Sequence, residues 1–253
     1  MRNFVLMAFV WCLTCAFPLL AKPILLGSHS VWPPYIQDDD RGLSYDIVAA
    51  AFARSGETFA LEVAPFSRAM RLAQNGEVDV IPALWHTQAR AQQFLFSTAY
   101  LHNELIFISL SANTLSFSGL SSLNGKRVCM IRGFAYQNLV SGYPNISVIS
   151  QLHLSECLRQ LARGRVDGVV ADRFAAAYAI THHFQRDIFT LHAQVIASWP
   201  LHIGISKTHP RSRKLINLFN QGLSDIIQDG TYQHLLSQYP QIDQDQGINP
   251  IPK

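Results

Sequence analysis

The chain has 253 residues, of which 49% are hydrophobic and 15% charged, with a formal net charge of +3. That balance is globular and excludes disordered and fibrous classes, and the length allows one large or two modest domains, each with its own core. The Lys and Arg residues are scattered, without basic runs interleaved with aromatics, so nucleic acid is not an expected partner.

From the start of the chain, Arg2 precedes an apolar run from Phe4 to Leu20 and the small Ala21. This is the layout of a secretory signal peptide over residues 1–21. Cys12 and Cys15 would leave with it, and the residues before Cys15 do not suit lipidation. Cys129 and Cys157 remain in a chain bound for an oxidising compartment, either bonded to each other or as two buried thiols.

Beyond the signal, apolar runs of strand length alternate with segments of helical period, the pattern of an α/β chain with mainly parallel strands. Strands are expected at ILLGS, FALEV, VDVIPAL, ELIFISL, RVCMI, ISVI, DGVVA and LHIGIS. Helices are expected at YDIVAAAFARSG, SRAMRLAQNG, TQARAQQF, SECLRQLARG, RFAAAYAITHH and PRSRKLINLFNQGLSDIIQDG. Gly56, Gly76, Gly164 and Gly230 close several of them as C-terminal caps do.

A repeat runs through this order. In LAQNGEVDVIPAL and LARGRVDGVVAD, Gly76, Val78, Asp79 and Ala83 match Gly164, Val166, Asp167 and Ala171 at a constant offset. Both copies read as helix, capping glycine, tight turn and buried strand, which implies two similarly built α/β lobes. The first delivers Arg90 and the second Asp172 just past the strand, where open α/β sheets bind ligands. Arg90 suits a two-pronged contact to a carboxylate and Asp172 a contact to an ammonium, the two groups of an α-amino acid. Asp172 reads equally well as the N-cap of the helix after it, and Arg90 as one half of a surface ion pair.

No nucleophile elbow, phosphate-binding loop or dinucleotide fingerprint occurs. The adjacent His182 and His183 lack a partner at ligand spacing, so neither a metal nor a cofactor is expected.

With WPPY, GLSYDIV, NGEVDV, HTQAR, FSTAY, GRVDGVVAD and DGTYQHLLSQY in this order, the chain resembles the family 3 extracellular solute-binding proteins. These are the periplasmic binding components of polar amino acid ABC transporters. The resemblance implies a type II periplasmic binding fold: lobe 1 from residues 22–108 and 201–243, lobe 2 from 109–200, two hinge crossovers, and a tail at 244–253. It implies that Arg90 binds a carboxylate and Asp172 an ammonium, with Phe66, Trp32 and Tyr35 around the ligand; the helix N-terminus at Thr87 would itself favour the same anion. It also implies that the helix carrying Cys157 crosses the strand carrying Cys129, which supports a disulfide.

Two positions depart from the amino acid binders: Trp85 and Phe134 stand where small hydroxyl residues are usual. Arg68 and Arg132 add positive charge near the same cleft, which suits an acidic solute. The expected protein is a monomeric periplasmic binding protein, not an enzyme, that closes around a small carboxylate and delivers it to an ABC transporter permease or a membrane receptor. The alternative on the same fold is a cyclohexadienyl-type dehydratase, for which Glu104, His86 and Asp172 are the candidate general acids.

Overall fold

The computed structural model describes residues 24–38, 40–113, 115–132 and 139–239. The expected signal peptide, the tail at 244–253 and Phe134 lie outside them.

Strand β1 (Ile24–His29) pairs in parallel with β2 (Thr58–Val63), and α1 (Leu43–Arg54) connects the two. Leu43, Ile47, Val48, Ala51 and Phe52 are buried at helical spacing, so one face of α1 packs inward. Gly42 precedes the helix at φ +119°, where a Cβ would meet the Tyr35 carbonyl oxygen at 2.4 Å. Glycine alone permits that approach. The first helical amides therefore reach back: Leu43 N–H donates to the Pro34 carbonyl and Ser44 N–H to that of Tyr35, both at 2.9 Å. These bonds pin the WPPY turn, in which Trp32 and Ile36 also exchange backbone hydrogen bonds of 2.8 and 3.0 Å.

Next come α2 (Phe66–Asn75), β3 (Ile81–Trp85), the short α3 (Gln88–Ala91), β4 (Phe94–Phe96) and the long β5 (Leu101–Leu110). The second half holds β6 (Arg127–Ile131), β7 (Ser147–Gln151), α4 (Leu154–Ala162), β8 (Gly168–Asp172) and α5 (Arg173–His183). It closes with β9 (Phe189–Ser206), α6 (Ser212–Gln228) and α7 (Thr231–Ser237). The larger sheet runs β3-β9-β5-β8-β6-β7, with β4 also on β9. Among the described residues no helix is long and apolar enough to cross a membrane.

The repeat has a structural reason. Asp79 accepts the Leu26 N–H at 2.8 Å through its carboxylate, while its own N–H donates to the Leu26 carbonyl at 2.7 Å. Asp167 does the same to Arg127, at 2.7 and 2.8 Å. Each aspartate thus clasps the neighbouring strand, β1 or β6, before its own strand begins. The capping glycines Gly76 and Gly164 lie at φ +75° and +65°.

Four sequence expectations need correction. The strands are not mainly parallel: β3, β4 and β5 all run antiparallel to β9, and β5 antiparallel to β8. Apolar periodicity marks a strand but not its direction, and the two long strands β5 and β9 return against their neighbours. TQARAQQF is not one helix, because buried Phe94 leaves it to pair with Ser206 on β9. LHIGIS is only the end of an 18-residue strand, whose first part is partly exposed and so lacks a continuous apolar run. Finally, α7 was not expected. It is held by Tyr232, whose hydroxyl donates to the Tyr100 carbonyl at 2.6 Å, and just beyond it Tyr239 donates to Asp46 at 2.6 Å.

Cys129 on β6 and Cys157 on α4 are joined, with Cα atoms 5.4 Å apart. Both are fully buried, packed with Ile106, Ile108, Leu158 and Leu161 in a core of their own.

Candidate functional site

β3 ends at Trp85, and the chain turns at once into α3. Thr87 is its N-cap, its hydroxyl accepting the Arg90 N–H at 3.2 Å. That contact takes up one of the amides the sequence reading had assigned to an anion. The turn brings the Arg90 guanidinium back along the strand end, where Nη1 donates to the Trp85 carbonyl at 3.0 Å and the group lies 5.3 Å from the centre of the Phe66 ring. Nε and Nη2 have no partner among the described residues. Partial burial lowers the Arg90 pKa from its ordinary value, though the group remains a cation.

At the matching end of β8 stands Asp172, only 4% exposed. Its Oδ1 accepts the Ala175 N–H at 2.7 Å, so it does cap α5. Its Oδ2 accepts from Asn103 Nδ2 at 2.5 Å and from the Tyr35 hydroxyl at 3.2 Å. Asn103, fully buried on β5, also accepts from Trp85 Nε1 at 2.5 Å. A continuous polar chain therefore runs Trp85–Asn103–Asp172–Tyr35, joining the ends of β3 and β8 to the WPPY turn.

Rings line this chain. Trp85 stacks on half-buried Trp199 with centroids 4.8 Å apart, and meets Trp32 edge-on at 6.3 Å. Trp32 packs on Tyr35 at 4.6 Å, and His29 supports Trp32 at 5.9 Å and Phe66 at 5.1 Å. His29 is buried with its two ring nitrogens facing the carbonyls of Ser30 and Ala83 at 2.8 and 3.0 Å. Burial is the main reason that its pKa is lowered.

Of the residues singled out from sequence, Arg90, Thr87, Phe66, Trp32, Tyr35, Trp85 and Asp172 thus fall in one connected cluster. Arg68 and Arg132 are exposed. Sequence reasoning missed Asn103, His29 and Trp199. An asparagine just ahead of an apolar strand run is out of place by propensity, and that was the available signal. His29 ends β1, the kind of strand edge where ligands bind. Of the candidate acids, Glu104 accepts from Arg173 Nε at 3.0 Å, and exposed His86 packs on Phe96 at 4.8 Å.

Burial, opposed by its hydrogen bonds, raises Asp172 from an ordinary 3.8 to about 6. Between those values the folded protein holds a proton that the unfolded chain has released. This group therefore adds stability as pH falls through 6 and withdraws it as pH rises, by up to about 3 kcal/mol. His29 acts oppositely: burial lowers its pKa on folding, so its contribution favours the unfolded chain as pH falls. The two are separated by Asp172→Asn. From pH 7 to pH 5 the melting temperature of the variant should fall relative to wild type, and parallel curves would contradict the assignment.

The model of the bacterial extracellular solute-binding proteins, family 3, matches residues 24–241. The ABC transporter arginine-binding protein 1 of Escherichia coli K12 is 27% identical over 161 residues, covering 63% of this chain and 65% of that one. Among solved structures, a mutant of ArgBP from T. maritima has TM-score 0.74 at 21% identity, covering 85% of this chain and 94% of that one. A histidine kinase sensor domain with similarity to periplasmic binding proteins has TM-score 0.76 at 20% identity, covering 85% and 95%. At these identities the two structures share the fold.

Proposed function

Since the chain belongs to the bacterial extracellular solute-binding proteins of family 3, we propose that it captures a small carboxylate-bearing solute, an amino acid or close relative, in the periplasm. Lobe 1 takes in residues 22–108 and 201–243 and lobe 2 residues 109–200, and residues 1–21 direct export to the periplasm and are then removed. Closure expels water, strengthens the ionic contacts and presents both lobes to an ABC transporter permease or a membrane receptor.

The observation that carries this reading is Arg90: a half-buried cation at a strand end, braced by Phe66 and the Trp85 carbonyl, with Nε and Nη2 unengaged among the described residues. Those two nitrogens form the fork that meets a carboxylate. The relative from Escherichia coli supports an amino acid as the solute. Asp172 receives the amine, and Trp32, Tyr35, Phe66 and Trp85 form the walls. Capture is favoured over turnover, because Glu104 is committed to Arg173, His86 packs among Phe96 and His202, and both oxygens of Asp172 already accept hydrogen bonds.

Asp172→Asn tests the assignment of the amine. Affinity for L-arginine, measured by calorimetry, should fall at least tenfold, on the order of the loss of one charge-assisted hydrogen bond. Affinity for 5-guanidinopentanoate, the same acid without the α-amine, should hold. Equal losses would remove Asp172 from amine recognition.

A further inference from the structure

We infer that the Tyr35 hydroxyl, a donor to Asp172, competes with the ligand's amine for that carboxylate, so that Tyr35 both ties the two α/β units together and sets the preference between amine-bearing and amine-free acids. This deepens the proposed function and rests on its assignment of Asp172 to the amine.

The three donors to Asp172 differ in origin. Ala175 lies three residues along the helix that Asp172 caps, and its amide stays wherever Asp172 goes. Asn103 sits on β5 two residues before Leu105, which pairs with Asp172, so although it is numbered in lobe 1 the sheet that crosses between the lobes holds it beside Asp172. Tyr35 comes from the turn between β1 and α1, in the other unit, and its contact of 3.2 Å is the longest of the three, against 2.5 and 2.7 Å. Two donors are therefore fixed and one is exchangeable.

An ammonium is a stronger donor to a carboxylate than a phenol is, because its hydrogen bond is charge-assisted. A ligand with an amine displaces the hydroxyl and takes over the bridge between the units. A ligand without one leaves Tyr35 in place. The phenol itself does not ionise at physiological pH, since burial and the neighbouring Asp172 hold its pKa well above the ordinary 10. Glu104, which also acts on the phenol, is paired with Arg173. The ring is 1% exposed and packs on Trp32, and its backbone is held by α1, so removing the oxygen leaves the rest of the side chain supported.

Tyr35→Phe is the test, read in two ways. Small-angle scattering of the unliganded protein at pH 8 should show a larger radius of gyration for the variant than for wild type. Identical profiles would overturn the tie whatever the ligand is. In titrations with L-arginine and 5-guanidinopentanoate, the preference of the variant for the amine-bearing acid should rise roughly tenfold, the size of one buried hydrogen bond to a charged group. If both affinities shift together and the ratio stays fixed, Tyr35 is merely structural. If wild type binds neither probe, the amino acid reading fails, and the scattering comparison still decides whether Tyr35 ties the units.

Discussion

Arg90→Ala is expected to weaken ligand binding by about 2–5 kcal/mol, the cost of leaving one partner of a desolvated charge pair alone. The expected loss thus lies between roughly thirty-fold and several thousand-fold in Kd. The side chain is placed for such an effect: Phe66 covers one face, the Trp85 carbonyl holds Nη1, and partial burial strengthens whatever ion pair the free edge makes. Arg90→Lys separates charge from geometry. A lysine retains the cation but presents no planar fork, so it should recover only part of the loss. Melting curves of both variants without ligand check that the fold survives. Unchanged affinity in a folded Arg90→Ala protein would take Arg90 out of the site.

The second large effect concerns stability. Cys129 and Cys157 close a loop of 28 residues between β6 and α4. In the chain-entropy account a loop of that length contributes roughly 3–4 kcal/mol by restricting the unfolded chain. Cys129→Ala with Cys157→Ala should therefore lower the melting temperature by about 6–16 °C, given the usual 2–4 °C per kcal/mol at this size. Both sulfurs are buried with Ile106, Ile108, Leu158 and Leu161, so the cavity left by truncation adds to the loss. Reduction of the wild type, which creates no cavity, isolates the cross-link. A melting temperature indifferent to reduction would mean that the bond contributes nothing.

The legibility of this chain was uneven for identifiable reasons. The repeated turn was readable because Gly76 and Gly164 need positive φ and because Asp79 and Asp167 each clasp a strand, leaving the same residues at the same offset. Helices with one buried face, such as α1, showed their periodicity directly. Strand direction was not readable, since β5 and β9 have the composition of strands but run opposite to what alternation with helices suggests. β4 was hidden because its three residues follow a helical turn and pair with Ser206, Ile205 and Gly204 far along the chain. In the site, the charged residues at strand ends stood out, whereas Asn103 did not. Its importance lies in joining Trp85, Tyr35 and Asp172 from three distant segments. Trp199 likewise has meaning only through its stacking on Trp85.

Trp85 also bears on which solute enters. Its indole stacks on Trp199 and spends its N–H on Asn103, so that N–H is not offered to a ligand carboxylate as a serine hydroxyl at this position would be. On the proposed reading this shifts carboxylate binding onto Arg90.

The most direct measurement is a thermal-shift titration of the chain from Lys22 against amino acids, dicarboxylates, polyamines, aromatic acids and sugars. A solute that binds only the folded form adds about 2.7 kcal/mol at a hundredfold excess over its Kd, which raises the melting temperature by several degrees at this size. Such a rise is expected with at least one amino acid, saturable and abolished by Arg90→Ala. A chain that responds only to solutes without a carboxylate, or to none of the panel, would contradict it.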